Sequence, residues 1–378
     1  MAESVRTGAI NAGLKYLQVR DLLVHRFTTE HYQPGHKLPT EQELARSLGV
    51  SRTTVRQALK LLEEEAIIVR RHGSGTFFAG HGGLMPQPHA TKGLVGMVNF
   101  FFMDYIYPDI LRGIEQTIFP EGYTLVLANS NQDEDQELLS VKRLVEQGVK
   151  GLILEPSRNL QIRDAHPMID LLDTIDVPIV TTHWGIEHRR VSTVSIDDHR
   201  AGYEATRYLI DRGHRSIAIV FKEDVQAGHD RYRGFRRAME EASLPCQDRW
   251  LAAYDSRAEE DDPRQGYVLT QRLLALHDKP TAIFYFNDLI AIQGYRAIQE
   301  AGLRIPENIS VIGFDNCRSA ELLYPPLTTF EHPKYHLGRW AARILLDELT
   351  EPRPRLPKKM VFEPILIERE SVAPPTRP

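Results

Sequence analysis

The sequence predicts an α/β chain in two parts, an N-terminal helix-turn-helix with a β wing and a doubly wound parallel-sheet body. Three observations predict it. Residues 38–79 place a capped helix, a Gly turn, a second helix and a Gly-tipped hairpin in immediate succession. From Gly93 onward short apolar runs alternate with amphipathic helical patterns, the mark of βαβ units. Between them Gly80-His81-Gly82-Gly83 and Pro86-Gln87-Pro88-His89 form a stretch rich in turn formers and poor in core residues.

Residues 1–13 read as a flexible tail, and a first helix covers about 14–30, with Tyr16, Val19, Leu23 and Phe27 on one face. The second helix starts at Thr40, where Thr40-x-x-Glu43 is a capping box. Leu44, Ala45 and Leu48 point inward and Gly49 ends the helix in a left-handed turn. Ser51 caps a third helix from Arg52 to about Glu65, whose inward stripe is Val55, Leu59 and Leu62. Arg52, Thr53, Thr54 and Arg56 are thereby left on its exposed first turns, where a recognition helix meets base edges and phosphates. A Ser-capped helix with two arginines is common. The hairpin that follows, Ile67–Arg71 and Thr76–Phe78 around His72-Gly73-Ser74-Gly75, makes the unit a winged helix-turn-helix.

The stretch from Leu14 to Ala79 resembles the GntR family of bacterial transcription factors through LPTEQELARSLGVSRTTVRQALKLLEEEAIIVRRHGSGTFF. Thr40 replaces the usual Ser and Ala66 the usual Gly before the wing. The resemblance implies DNA contacts from Gln42, Ser51, Arg52, Thr53, Thr54, Arg56, His72 and Gly73.

In the body, strands are expected at LVGMVNF, YTLVLA, GLILE, PIVTT and VSTVSI, then at SIAIVF, near 250–254, at TAIFYF and at SVIGF. Helices at about 108–119, 134–147, 166–174, 199–212, 230–242, 264–276 and 288–301 separate them, giving two lobes with a cleft between. Ligands of open parallel sheets bind beyond the carboxyl ends of strands. The residues there are Glu155, His183, Trp184, Asn287 and Asp315, with Arg231 at the start of a helix. Acids and amides take paired hydroxyls, Arg donates several hydrogen bonds and an indole covers an apolar sugar face, so the set suits a polyhydroxylated ligand. Helix capping or loop closure is the plainer role for each one singly.

This half resembles the effector domain of the LacI/GalR family, which shares the fold of periplasmic sugar-binding proteins. The matching segments are SIDDHRAGYEATRYLIDRGHRSIAIV, Arg231-Tyr232-Arg233-Gly234-Phe235, the run from Asn287 to Asp315, and YPPLTTFEHP. Arg231, Asn287 and Asp315 match pocket positions by type, whereas Glu155 and His183 match by position only. A winged head in place of that family's own helix-turn-helix most closely resembles arabinose-responsive repressors. Arabinose is the first ligand the resemblance implies, with other pentoses, hexoses and small polyols, or a non-sugar metabolite, left open.

The expected organisation is a tail (1–13), a DNA-binding domain (14–79), a linker (80–92), an effector-binding and dimerisation domain (93–370) and a C-terminal tail (371–378). Net charge is −5, divided as +3 on residues 1–80 and −8 on the rest, so a mildly basic head sits on an acidic body. Phosphate attraction acts within a Debye length of about 8–10 Å, so the body need not oppose it. Two cysteines give no disulfide framework, no apolar run suits a membrane span, and the first residues lack a signal peptide's apolar core, so the cytoplasm is the expected compartment. Residues 129–140 imitate a calcium loop but lack its Gly and final Glu. No HExxH, P-loop or G-x-S-x-G occurs, and no strand end carries a Lys suited to a Schiff base. No metal, cofactor or catalysis is expected. Operator DNA, a small effector and a second copy of the chain are the expected partners.

Overall fold

In the computed structural model the described residues are 15–29, 32, 35–64, 67–71, 75–79, 91–99, 105–156, 167–183, 191–351 and 356–376. They form two compact units, 1–90 and 91–378. The expected N-terminal tail and most of the expected linker lie outside the described residues.

The head consists of α1 (Lys15–Thr29), α2 (Glu41–Leu48), α3 (Arg52–Glu64) and a hairpin of β1 (Ile68–Arg71) and β2 (Gly75–Phe78). Thr40 and Glu43 close the capping box reciprocally, with Thr40 N–H donating to Glu43 Oε2 at 2.7 Å and Glu43 N–H to Thr40 Oγ1 at 3.3 Å. Gly49 ends α2 at φ 64°, the left-handed conformation. Leu23, Phe27, Leu44, Val55, Leu59, Leu62 and Phe78 close one small core, so burial on three helices and the wing fixes the angle at which α3 is presented. The chain before α2 adds a short edge to the wing, with Leu38 N–H donating to the Thr76 carbonyl and Phe78 N–H to that of His36.

The body opens with β3 (Gly93–Asn99), α4 (Tyr107–Ile118), β4 (Tyr123–Asn129), α5 (Glu134–Glu146), β5 (Gly151–Leu154), α6 (Pro167–Thr174), β6 (Ile179–His183) and β7 (Val191–Ile196). The second lobe continues through α7 (Asp198–Asp211), β8 (Ile217–Lys222), α8 (Gln226–Glu241), β9 (Leu251–Tyr254), α9 (Ser256–Asp261), α10 (Gln265–Leu274), β10 (Ala282–Tyr285), α11 (Asp288–Glu300) and β11 (Ser310–Ile312). After β12 (Thr329–Glu331) the chain returns to the first lobe in α12 (Lys334–Thr350) and β13 (Lys359–Phe362), then comes back through β14 (Ile365–Ile367). The first sheet runs β13-β7-β6-β5-β3-β4 and the second β11-β10-β8-β9, both wholly parallel. An antiparallel β12–β14 pair joins the return segments. Strands buried on both faces explain the near-continuous apolar runs.

The structure differs from the sequence expectation in three places. Helix α8 begins at Gln226, so Arg231 lies in its second turn and not at its start. Gly228 lies in the first turn of this helix, where a Cβ would stand 1.8 Å from the Lys222 carbonyl oxygen, so the close approach requires glycine. The α9 segment SRAEED has no apolar period to betray a helix. Residues 371–376 of the expected C-terminal tail are part of the fold: Ser371 is fully buried and its hydroxyl donates to the Val311 carbonyl at 2.6 Å.

His214 ties that last segment down, its ring bridging Thr281 Oγ1 and the Ala373 carbonyl at 2.9 Å each. Burial, with the Arg212 charge adding to it, pushes its pKa down to about 4. The unfolded chain takes up a proton near the ordinary value of about 6.5, which the folded chain refuses until far lower pH. The contribution is therefore present above about pH 6.5 and is lost as pH falls toward 4. Melting temperature is expected to drop more steeply between pH 7 and 5 in the parent than in His214→Asn; parallel curves would exclude the assignment.

Candidate functional site

The first candidate surface is on the head. Gln42, Ser51, Arg52, Thr53 and Arg56 are exposed and Thr54 is half-buried, on adjoining ends of α2 and α3. Thr54 N–H donates to Ser51 Oγ at 3.1 Å, so Ser51 is the helix cap as well as a candidate contact. Arg56 donates from Nε and Nη2 to Glu41 Oε2 at 3.2 and 3.1 Å. His72 and Gly73 lie outside the described residues. The positive ends of helix dipoles and exposed donors on one face suit a phosphate backbone.

The second is a cleft in the body that mixes charged, polar and aromatic side chains, the make-up of a small-molecule site. Glu155, His183, Arg231, Asn287 and Asp315 all line it. Trp184 lies outside the described residues. Sequence reasoning missed Tyr107, Lys222, Glu259, Phe286 and His332, which share the same lining.

Each side chain is held by a local cause. Glu155 follows β5 and is almost wholly buried, accepting from Asn99 Nδ2 at 2.9 Å and Tyr107 OH at 3.0 Å. His183 ends β6 in a left-handed conformation, φ 66°. Its Nδ1 stands 2.9 Å from Glu155 Oε1 and its Nε2 2.9 Å from His332 Nε2. Burial opposes charge on His183, but the Glu155 carboxylate outweighs it and raises the pKa. Burial, together with the charge of His183, drives His332 far the other way. The two rings are thus driven apart, with a proton favoured on His183 and disfavoured on His332. His332 Nδ1 is buried and has no hydrogen-bond partner among the described residues.

From the other lobe Arg231 donates to Asp198 Oδ1 from Nε at 2.8 Å and from Nη2 at 2.7 Å, and from Nη1 to the Phe286 carbonyl at 2.5 Å. Its guanidinium also lies 3.5 Å from the centre of the Phe314 ring. Asp315 sits just beyond β11 at φ 103° and accepts from the Tyr105 hydroxyl, while its carbonyl takes the Lys334 ammonium. Burial raises its pKa despite Arg231. Behind it Asp288 receives Cys317 N–H at 2.7 Å and Thr329 Oγ1 at 2.6 Å. Burial, with Asp315 close by, lifts Asp288 to about 7. Asn287 caps α11 through Oδ1, accepting from Ile290 N–H at 3.0 Å, so its amide NH2 is the group that remains for a ligand. Lys222 and Glu259, both in the lining, form an ion pair of 2.7 Å. Among the described residues no three His, Cys, Asp or Glu side chains gather to hold a metal ion, and no helix is long and apolar enough to cross a membrane.

Comparison with known proteins agrees with this two-part architecture. Residues 15–78 match the family model of bacterial regulatory proteins of the gntR family, and residues 206–372 match a periplasmic binding protein-like domain. The arabinose metabolism transcriptional repressor of Geobacillus stearothermophilus is 33% identical over 358 residues, covering 94% of this chain and 97% of that protein. The HTH-type transcriptional repressor PurR of Yersinia pestis is 32% identical over 348 residues, covering 89% and 97%. Among solved structures, a LacI family transcriptional regulator from Enterococcus faecium with bound ribose superposes with a TM-score of 0.64 at 27% identity, covering 74% of this chain and 99% of that one. The chain belongs to the family of bacterial transcriptional repressors that join a gntR-type DNA-binding head to a periplasmic-binding-protein-like body, and it is a ligand-responsive DNA-binding regulator rather than an enzyme.

Proposed function

We propose that the chain is a cytoplasmic, homodimeric repressor released from its operator by a neutral monosaccharide bound in the cleft, with L-arabinose the first candidate. The observation that carries this reading is the charge pairing of the cleft. Arg231 is matched by Asp198, Lys222 by Glu259, and His183 by Glu155, while Asp315 adds a further carboxylate. A phosphate or sugar acid would have to displace one of these carboxylates and then lie beside others, which costs several kcal/mol of like-charge contact. Hydroxyls of a neutral sugar can instead donate to Glu155 and Asp315, accept from Arg231 and Asn287, and pair with His332 Nδ1. The relative with an arabinose repressor's name and the structural neighbour holding ribose support a sugar of this size.

Ligand binding changes DNA affinity only through different affinities for two arrangements of the lobes. Closing the cleft on a sugar would favour one arrangement and thereby alter the spacing of the two heads of a dimer. A thermal-shift screen of the full chain against pentoses, hexoses and their phosphates tests the ligand class. A neutral sugar at a hundredfold excess over its dissociation constant stabilises by about 2.7 kcal/mol. Stabilisation by a sugar phosphate and by no neutral sugar would contradict the charge argument.

For the head, Arg52→Ala is expected to weaken binding to the chain's cognate duplex by about tenfold to a hundredfold, the worth of a base-edge contact. Anisotropy titration checks it, and unchanged affinity would remove Arg52 from the reading set.

A further inference from the structure

One carboxylate on the DNA-facing side of the head has no place in the account above. Glu41, the first residue of α2, accepts both Nε and Nη2 of Arg56 on α3, and its other oxygen lies 3.7 Å from Arg70 Nη1 on the wing strand β1. Arg70 is also held from α3, its Nε 3.1 Å from Glu63 Oε2. Arg56 is 59% and Arg70 37% exposed, whereas Glu41 is 22% exposed.

Stability does not explain this placement, because ion pairs at such exposed positions contribute little. Attraction for DNA does not explain it either, since a carboxylate repels the phosphates that supply most non-specific affinity. What Glu41 does accomplish is geometric. It engages the Nε and Nη2 edge of the Arg56 guanidinium, which leaves the Nη1 donors for another partner, and it links the side chain of the helix to that of the wing.

We propose that Glu41 is a positioning residue for DNA recognition: it fixes Arg56 and Arg70 in one arrangement and lowers affinity for arbitrary phosphate backbones. The proposal rests on α3 and the wing being the surface that meets DNA. It raises specificity from both directions, by preorganising donors for the right sequence and by penalising the wrong one.

The test uses the full chain and two duplexes of equal length, one enriched by the parent chain from a random pool and one of mixed sequence. Glu41→Gln keeps the size of the side chain and removes the charge. It is expected to weaken binding to the enriched duplex about tenfold, near the value of one base contact, while binding to the mixed duplex stays equal or tightens. In an Arg56→Gln background the same substitution should no longer weaken the enriched duplex, because Glu41 acts through Arg56. Glu41→Asp, which keeps the charge, should recover part of the ratio. An unchanged ratio in Glu41→Gln overturns the proposal, and so does an equal loss on both duplexes, which would mark a purely structural role. A parent chain that enriches no sequence would instead remove the premise that this surface reads DNA.

Discussion

Arg231→Ala is expected to abolish the response to ligand while leaving DNA binding intact. Arg231 is buried to 5% exposure and its guanidinium is fixed by Asp198, the Phe286 carbonyl and the Phe314 ring. The group is therefore preorganised, and a sugar that meets it loses little ordering entropy. Removing a charge-assisted donor from a buried site costs at least about a hundredfold in affinity. Stability should also fall, by about 3 kcal/mol, because Asp198 is left buried without its partner. Burial already raises the Asp198 pKa against the pull of Arg231, so the lone carboxyl is expected to take up a proton and the fold to survive. Adding Asp198→Asn to Arg231→Ala separates the two effects: melting temperature should recover, and the ligand response should not. The head has its own core, so its DNA affinity should match the parent's. A variant that still responds to the parent's ligand at the parent's concentration would show that the cleft is not the effector site.

Gly234→Ala is expected to be a strongly damaging single methyl group in the second lobe. Helices α7 and α8 cross in close contact, and a Cβ on Gly234 would stand 2.0 Å from the His199 carbonyl oxygen and 2.6 Å from the Tyr203 nitrogen. The opposing Gly202 would meet the Arg231 carbonyl oxygen at 2.0 Å. Both obstacles are backbone and cannot rotate away, so the helices must separate, at a cost of about 3 kcal/mol or more. Arg231 and Asp198 sit on these two helices, so separation also pulls the ion pair apart. Thermal unfolding should show a large fall in melting temperature, and ligand affinity should fall with it. A variant as stable as the parent would mean that the helices can slide apart freely.

How much of this was legible in the sequence follows from what each signal encodes. The head was readable nearly residue by residue, because Thr40, Glu43, Gly49 and Ser51 act through bonds to neighbours three or four positions away. The parallel body was readable from its alternation, since strands covered on both faces must be apolar throughout. The cleft was readable in part: Glu155, His183, Asn287 and Asp315 stand at strand ends, where topology alone brings them together. His332 was not legible as a cleft residue. It reaches His183 across 149 positions, after a strand that serves the return between lobes. Lys222 and Glu259 were missed for the same reason, since an ion pair spanning 37 positions leaves no periodic trace. Helix α9 was too short and too polar to register, and Ser371 read as a tail because its burial depends on contacts 43 and 60 positions away.

The central claim is that a neutral sugar in the cleft loosens the grip of the head on DNA. Fluorescence anisotropy tests it most directly, with the full chain held on its own enriched duplex and titrated with L-arabinose, other neutral monosaccharides and the corresponding phosphates. One neutral sugar should release the duplex in a saturable manner, Arg231→Ala should bind the same duplex and ignore that sugar, and the phosphates should have no effect. Occupancy unchanged by every neutral sugar, or released by the phosphates alone, would contradict the account.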